Sequence, residues 1–194
     1  MDATKSPEFD PERPVASSAA VLRAIFLRPK SFYLNFDTGG PLRGPALFVL
    51  LVSIVSGFLS VVANSISAAV LGTGTNLLGV VAVNLAFVVL SPVLVGVAAG
   101  AYLLSVRAFV GPEGDFRGVY RMLAYAYGAM ILSWVPIAYA FAFTYATMIL
   151  MGLGIRSVYR TSFLTALVTT LVGFVPVSVA FIYLLATAYS FVSD

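Results

Sequence analysis

Apolar residues do not alternate with polar ones along this chain; they run in long blocks. Three stretches contain no Asp, Glu, Lys or Arg: Gly44 to Val106, Met122 to Ile155, and Thr161 to Ser193. A membrane-spanning helix needs roughly 20 apolar residues at 1.5 Å each to cross about 30 Å of hydrocarbon. The first block is long enough for two spans, the second for two short ones and the third for one.

Inside the blocks the polar positions keep helical spacing. Ser53, Ser56, Gly57, Ser60, Asn64 and Ser67 recur at three- and four-residue steps and so share one face of a first span, Pro45 to Val70. This stripe reads either as a seam packed against another helix or as the polar wall of a cavity to which Asn84 also contributes; small and hydroxyl side chains suit both. Gly72-Thr-Gly-Thr-Asn76 is a turn signal. The second span, Leu77 to Arg107, exceeds the bilayer core, and Ser91-Pro92 predicts a kink or break within it. It also carries a seven-residue repeat, Asn84, Ser91, Ala98 and Ser105, and a Gly96 to Gly100 GxxxG pair. Spans three and four, Tyr120 to Val135 and Ile137 to Leu153, form a hairpin turning near Ser133-Trp-Val-Pro136, with Ala138, Ala142 and Ala146 as a small-residue seam. Thr165, Thr169 and Gly173 share a face of the fifth span, and Pro176 predicts a second kink.

Composition agrees with a lipid solvent: 194 residues, 60% hydrophobic and 10% charged, with a mean hydropathy of +1.00. Soluble domains carry about 25% charge. The net charge of +3 would invite a nucleic-acid partner until the charges are placed. All 11 basic residues fall in three short segments: Lys5 to Arg43, Arg107 to Arg121, and Arg156 to Arg160. Lys and Arg collect on the cytoplasmic side, so each block between two of these segments crosses an even number of times. The expectation is an all-α polytopic membrane helix bundle of five transmembrane helices, N-terminus cytoplasmic and C-terminus outside. Reading Met122 to Ile155 as one span would strand Arg156 and Arg160 on the opposite side, whereas a shallow re-entrant hairpin there keeps the parity.

Three regions follow. Residues 1–16, with three prolines and mixed charges, read as a disordered cytoplasmic tail. Residues 17–43 form a cytoplasmic or interfacial lead-in, in which Val21, Leu22, Ile25 and Phe26 mark a short helix lying at the membrane surface or packed under the bundle. Residues 44–194 hold the spans. No cleavable signal is expected, because the first apolar block begins only at Gly44. The middle loop, Arg107 to Arg121, contains Glu113 and Asp115, with which Arg117 and Arg121 can pair as a solvated, self-balancing loop.

The chemistry available is narrow. With no His and no Cys, the usual metal ligands, thiol nucleophile and general base near neutral pH are missing. The cores of the predicted spans carry no ionisable group of the kind that marks proton-coupled transport, and neither a Walker loop nor a dinucleotide fingerprint occurs. No catalytic residue, metal or cofactor is expected.

Arg28-Pro-Lys-Ser-Phe-Tyr-Leu-Asn-Phe-Asp-Thr-Gly-Gly-Pro41, running straight into the first span, resembles the lead-in of the Yip1-domain membrane proteins. Their signature there is Asp-Leu-Tyr-Gly-Pro, matched at Asp37, Gly40 and Pro41; their Gly-Tyr signature in span three has an approximate counterpart in Ala124-Tyr125-Ala126-Tyr127-Gly128, with alanine in place of the glycine. The resemblance implies five spans and a cytoplasmic N-terminus. It also implies vesicle-mediated transport and small-GTPase contacts in Golgi or ER membranes for a eukaryotic member; a short, arginine-rich chain like this one is more similar to a bacterial member of an inner membrane. Asp37, Gly40 and Pro41 then serve as a structural or partner-docking motif. The functional expectation is a non-enzymatic scaffold or adaptor whose partners are the bilayer and other membrane proteins or a second copy, with no nucleic acid. The alternative is a channel or facilitator for a small solute or ion along a path lined by Ser53, Ser56, Ser60, Asn64 and Asn84.

Overall fold

The computed structural model describes residues 6–72 and 76–193, and the turn predicted at 72–76 lies largely outside them. Every regular element among the described residues is helical. In chain order they are α1 (Pro14–Leu27), α2 (Pro29–Leu34), α3 (Arg43–Leu71), α4 (Leu77–Phe109) and α5 (Phe116–Ala126), which continues as a 3-10 turn over Tyr127–Leu132. Then follow α6 (Pro136–Thr144), a π-helical segment (Tyr145–Leu150), α7 (Met151–Val158) and α8 (Phe163–Ser193). Four helices are long and apolar enough to cross a membrane: Arg43–Val70, Leu77–Phe109, Ile137–Val158 and Phe163–Ala188. The protein is thus an all-α, polytopic membrane helix bundle.

The third predicted span differs in kind. The 11 residues of α5 and the 6 of the 3-10 turn together reach only about 28 Å at ordinary helix rises, and α5 begins with the charged turn that holds Arg117 and Arg121. The returning limb is a single run, Ile137–Val158, in which the π-helical segment joins α6 to α7. Its Ala142 and Ala146 are buried.

Neither proline breaks its helix. α4 runs unbroken through Pro92 and α8 through Pro176. Pro92 cannot donate to the carbonyl four residues back, Val88; the Ser91 hydroxyl donates to that carbonyl instead, at 2.9 Å. In lipid no water can replace the lost bond, so a neighbouring hydroxyl that does so keeps the helix whole. At 33 residues, α4 is about 50 Å long, and its last turn carries Arg107 clear of the apolar segment, bonded to the Gly114 carbonyl at 3.3 Å.

The packed core sits at one end of the bundle. Ile25, Phe48, Tyr102, Met122, Tyr125, Leu150, Met151 and Ile155 are all fully buried, whereas α3 has no buried residue after Gly57 and α8 none after Gly173 among those described. The helix predicted around Val21 and Ile25 is α1, and it packs under the bundle: both side chains are buried, Phe26 stacks on Tyr145 with ring centres 5.9 Å apart, and the Tyr145 hydroxyl donates to the Ile25 carbonyl at 3.0 Å.

Glycines test this division. A Cβ on Gly173 would lie 2.5 Å from Cδ1 of Tyr102, whereas one on Gly100 would meet nothing within 4 Å. Forcing side chains apart in a packed region typically costs about 1–3 kcal/mol. In detergent, Gly173→Ala is expected to lower the Tm by several degrees and Gly100→Ala to leave it unchanged or slightly raised, as thermal unfolding would read.

Candidate functional site

The most densely connected group in the structure lies where the lead-in meets the first turn of α5. Asp115 opens α5 as its N-cap, its Oδ1 accepting from the Gly118 amide at 3.0 Å, which fixes the register of the next turns. Arg121 and Tyr125, one helical turn apart, thereby point to the same side, into the bundle, and both are fully buried. A buried guanidinium costs several kcal/mol unless its donors are matched. Here Nε donates to the Asp37 carbonyl at 2.9 Å and Nη1 to the Pro41 carbonyl at 2.8 Å. Nη2 lies 2.9 Å from Oε1 of Glu8, and the guanidinium stands 5.9 Å from the Phe36 ring centre.

Asp37, Gly40 and Pro41 therefore form one turn folded around a single cation. The Asp37 side chain holds the turn itself, accepting from the Gly39 amide at 2.9 Å. Gly40 is required by space: a Cβ there would lie 2.4 Å from Nη1 of Arg121. Arg117 reaches the Gly39 carbonyl at 3.4 Å, and a Cβ on Gly118 would lie 3.1 Å from Cβ of Thr38. The pairing expected for Arg121 is corrected by this geometry. Asp115 is occupied in capping α5, and the acidic partner of Arg121 is Glu8, far away in sequence, because the arginine points inward rather than into the loop.

The same cation draws in part of the segment expected to be a disordered tail. From Ser6 onward it lies on the bundle: the Ser6 hydroxyl donates to the Phe32 carbonyl, the Phe9 amide donates to the Tyr125 hydroxyl at 3.2 Å, and the Phe9 ring is buried against Phe48, centres 6.0 Å apart. Composition still explains why these residues would not fold alone; a docking slot formed by Arg121, Tyr125 and Phe48 gives them a place. Around it Phe32, Tyr33, Phe36 and Tyr125 pack edge-on or tilted, with centres 5.1 to 5.9 Å apart, at separations favourable for aromatic pairs. Burial pushes the Tyr33 hydroxyl pKa well above its ordinary value, so that group stays neutral.

The polar stripe of α3 lies at the other end. Ser53, Ser56, Ser60, Asn64 and Asn84 all line one cavity of about 1030 Å³ between α3, α4, the hairpin and α8. Its lower part is occupied by side chains: the Ser53 hydroxyl meets that of Tyr127 at 3.0 Å, and Ser53 and Ser56 are buried. Asn84 sits opposite Gly57, where an added Cβ would lie 3.5 Å from its Oδ1. Higher up, Ser60 and Asn64 face a wider space. The lining stops at Ala101, Leu123 and Thr147, and Tyr102, Met122 and Met151, next to them in sequence or one helical turn on, are fully buried.

Fold and site together define a polytopic helical membrane protein with a lead-in clamped to its third helical limb. The family model of the Yip1 domain matches residues 23–191, and the chain belongs to that family. No curated protein and no solved structure matches it.

Hydrogen bonds to a charged group are worth about 1.5–3 kcal/mol each. Arg121→Met, which removes the cation and keeps an apolar side chain, is expected to speed hydrogen exchange of residues 6–13 and 37–41 together. Glu8→Gln is expected to speed it chiefly in residues 6–13. Equal protection in wild type and Arg121→Met would contradict the clamp.

Proposed function

We propose that this Yip1-domain protein is a non-enzymatic scaffold or adaptor that organises other membrane proteins or membrane traffic. The observation that carries this reading is the clamped lead-in. With residues 6–13, α1 and α2 held to the bundle, the lead-in becomes a fixed plate rather than a tether. That plate presents apolar side chains to the outside, Leu27 at 68% and Leu34 at 60% exposure, interleaved with the exposed Arg23, Arg28 and Lys30. A rigid surface that combines apolar and basic groups suits recognition more than turnover. The residue inventory is in keeping with this reading: the chain has no His and no Cys.

The reading places the plate in the cytoplasm with five crossings, α5 and its 3-10 turn forming a short third one. Basic segments then share one side of the membrane. Because the chain has no cysteine, single cysteines report topology directly. A membrane-impermeant maleimide applied to intact cells is expected to label Asn76→Cys and Ser190→Cys, and to label Glu113→Cys and Arg160→Cys only after permeabilisation. Labelling of Arg160→Cys in intact cells would overturn the arrangement.

Photo-crosslinkers substituted at Leu27 and Leu34 in native membranes are expected to capture the same membrane protein, while crosslinkers at Leu85 and Val89, exposed in the middle of α4, capture lipid. Lipid adducts alone at all four positions would count against the scaffold.

A further inference from the structure

The scaffold reading makes no use of the cavity at the loosely packed end of the bundle. Its volume, about 1030 Å³, lies at the upper end of the usual 300–1,000 Å³ range of small-molecule sites. Three features define what fits. No described residue of its lining is Asp, Glu, Lys or Arg, so a charged headgroup inside would lose its water without gaining a partner.

Next, the polar groups suit a hydroxyl. Asn64 and Asn84 each use one Nδ2 hydrogen on a carbonyl of their own helix, Ser60 and Val80, at 2.8 Å each. Each amide keeps its Oδ1 to accept and one N–H to donate, the pair of roles a hydroxyl complements. The facing wall is aliphatic and aromatic, with Phe143 stacked on Phe181 at 3.9 Å between ring centres.

Last, the cavity opens sideways. Its rim includes Val97 and Ile182, 68% and 64% exposed on the outer surfaces of α4 and α8. Pro176 also lines it, beside the point after which α8 has no buried residue among those described. Helices that face hydrocarbon on their outer surfaces open such a rim to the bilayer.

We propose that this cavity binds one uncharged, hydroxyl-bearing lipid of the diacylglycerol class, taken laterally from the membrane. Its hydroxyl donates to Asn64 or Asn84, and its tails lie against the Phe143–Phe181 wall.

The test uses the purified full chain in phosphatidylcholine vesicles doped with a trace of diazirine-tailed diacylglycerol or, separately, diazirine-tailed phosphatidylglycerol, with adducts mapped by mass spectrometry. Diacylglycerol adducts are expected to concentrate on Tyr127, Trp134 and Tyr139 over the lipid-facing Leu85 and Val89, with the phosphatidylglycerol probe giving only the lipid-facing pattern. Ser60→Phe and Ala180→Phe fill the space from opposite walls without touching the packed core, and Asn84→Leu removes an acceptor at similar volume. Each is expected to lower cavity adducts about tenfold, roughly the loss of one well-made contact, leaving those on Leu85 and Val89 unchanged. Equal labelling by the charged probe, adducts spread evenly over both sets, insensitivity to all three substitutions, or a chain-to-chain crosslink in place of lipid adducts would each overturn the proposal.

Discussion

The arrangement of the lead-in and of α5 depends on one buried cation. Arg121 has no exposed surface, and a guanidinium removed from water is tolerated only where its donors find acceptors and its charge a counter-charge. No single neighbour supplies both. The acceptors come from the carbonyls of Asp37 and Pro41 and the counter-charge from Glu8, so the cation is satisfied only when three separate parts of the chain meet. Burying a charge is weak evidence of stability, since an apolar residue often packs as well. It is a strong device for register, because few other arrangements of the same segments supply the same partners.

That constraint separates the two ends of the molecule. At the Arg121 end, aromatic rings and small residues pack closely: a Cβ on Gly128 would lie 2.8 Å from Cδ1 of Ile25, and one on Gly154 would lie 3.2 Å from both Tyr33 and Met122. At the far end the helices are held by fewer contacts, chiefly the Tyr139, Phe143 and Phe181 stack. Between helices in lipid there is no hydrophobic force to close a gap, so a space between them persists where small and polar residues replace large ones. The α3 stripe of Ser56, Gly57, Ser60 and Asn64 is such a region, and so the cavity opens beside it.

Much of the fold was legible because lipid imposes a simple rule on length and charge. The long apolar runs that became α3, α4 and α8, the hairpin turn near Pro136 and the amphipathic lead-in helix all follow from apolar block lengths and from where Lys and Arg fall. What was not legible depends on distant partners. Arg121 sits in a charged loop beside Glu113 and Asp115 and reads locally as solvated; its burial depends on Asp115 capping α5 and on Glu8 returning from the N-terminal segment. One signal was available: Arg121 shares its helical face with Tyr125 and Gly118, an inward stripe of the kind that seldom ends in solvent. At Pro92 the helix stays unbroken because the hydroxyl directly before the proline donates to the carbonyl that the missing amide leaves without a partner, a contact that the loss of one backbone bond does not by itself suggest.

The Asp37 to Pro41 motif gains a physical meaning from this geometry. Read alone, two glycines and a proline describe a turn and could serve any purpose at the membrane surface. Around Arg121 each position has its own task. The Asp37 side chain closes the turn while its carbonyl points outward to the guanidinium, Gly40 leaves room for Nη1, and Pro41 contributes a carbonyl from a residue whose missing amide needs no partner of its own. Arg43 begins α3 two residues later, so a turn built around α5 also fixes where the first membrane helix starts. The start of the first long helix is therefore tied to a side chain of α5, which couples the Asp37 to Pro41 motif to the helix that follows the middle loop.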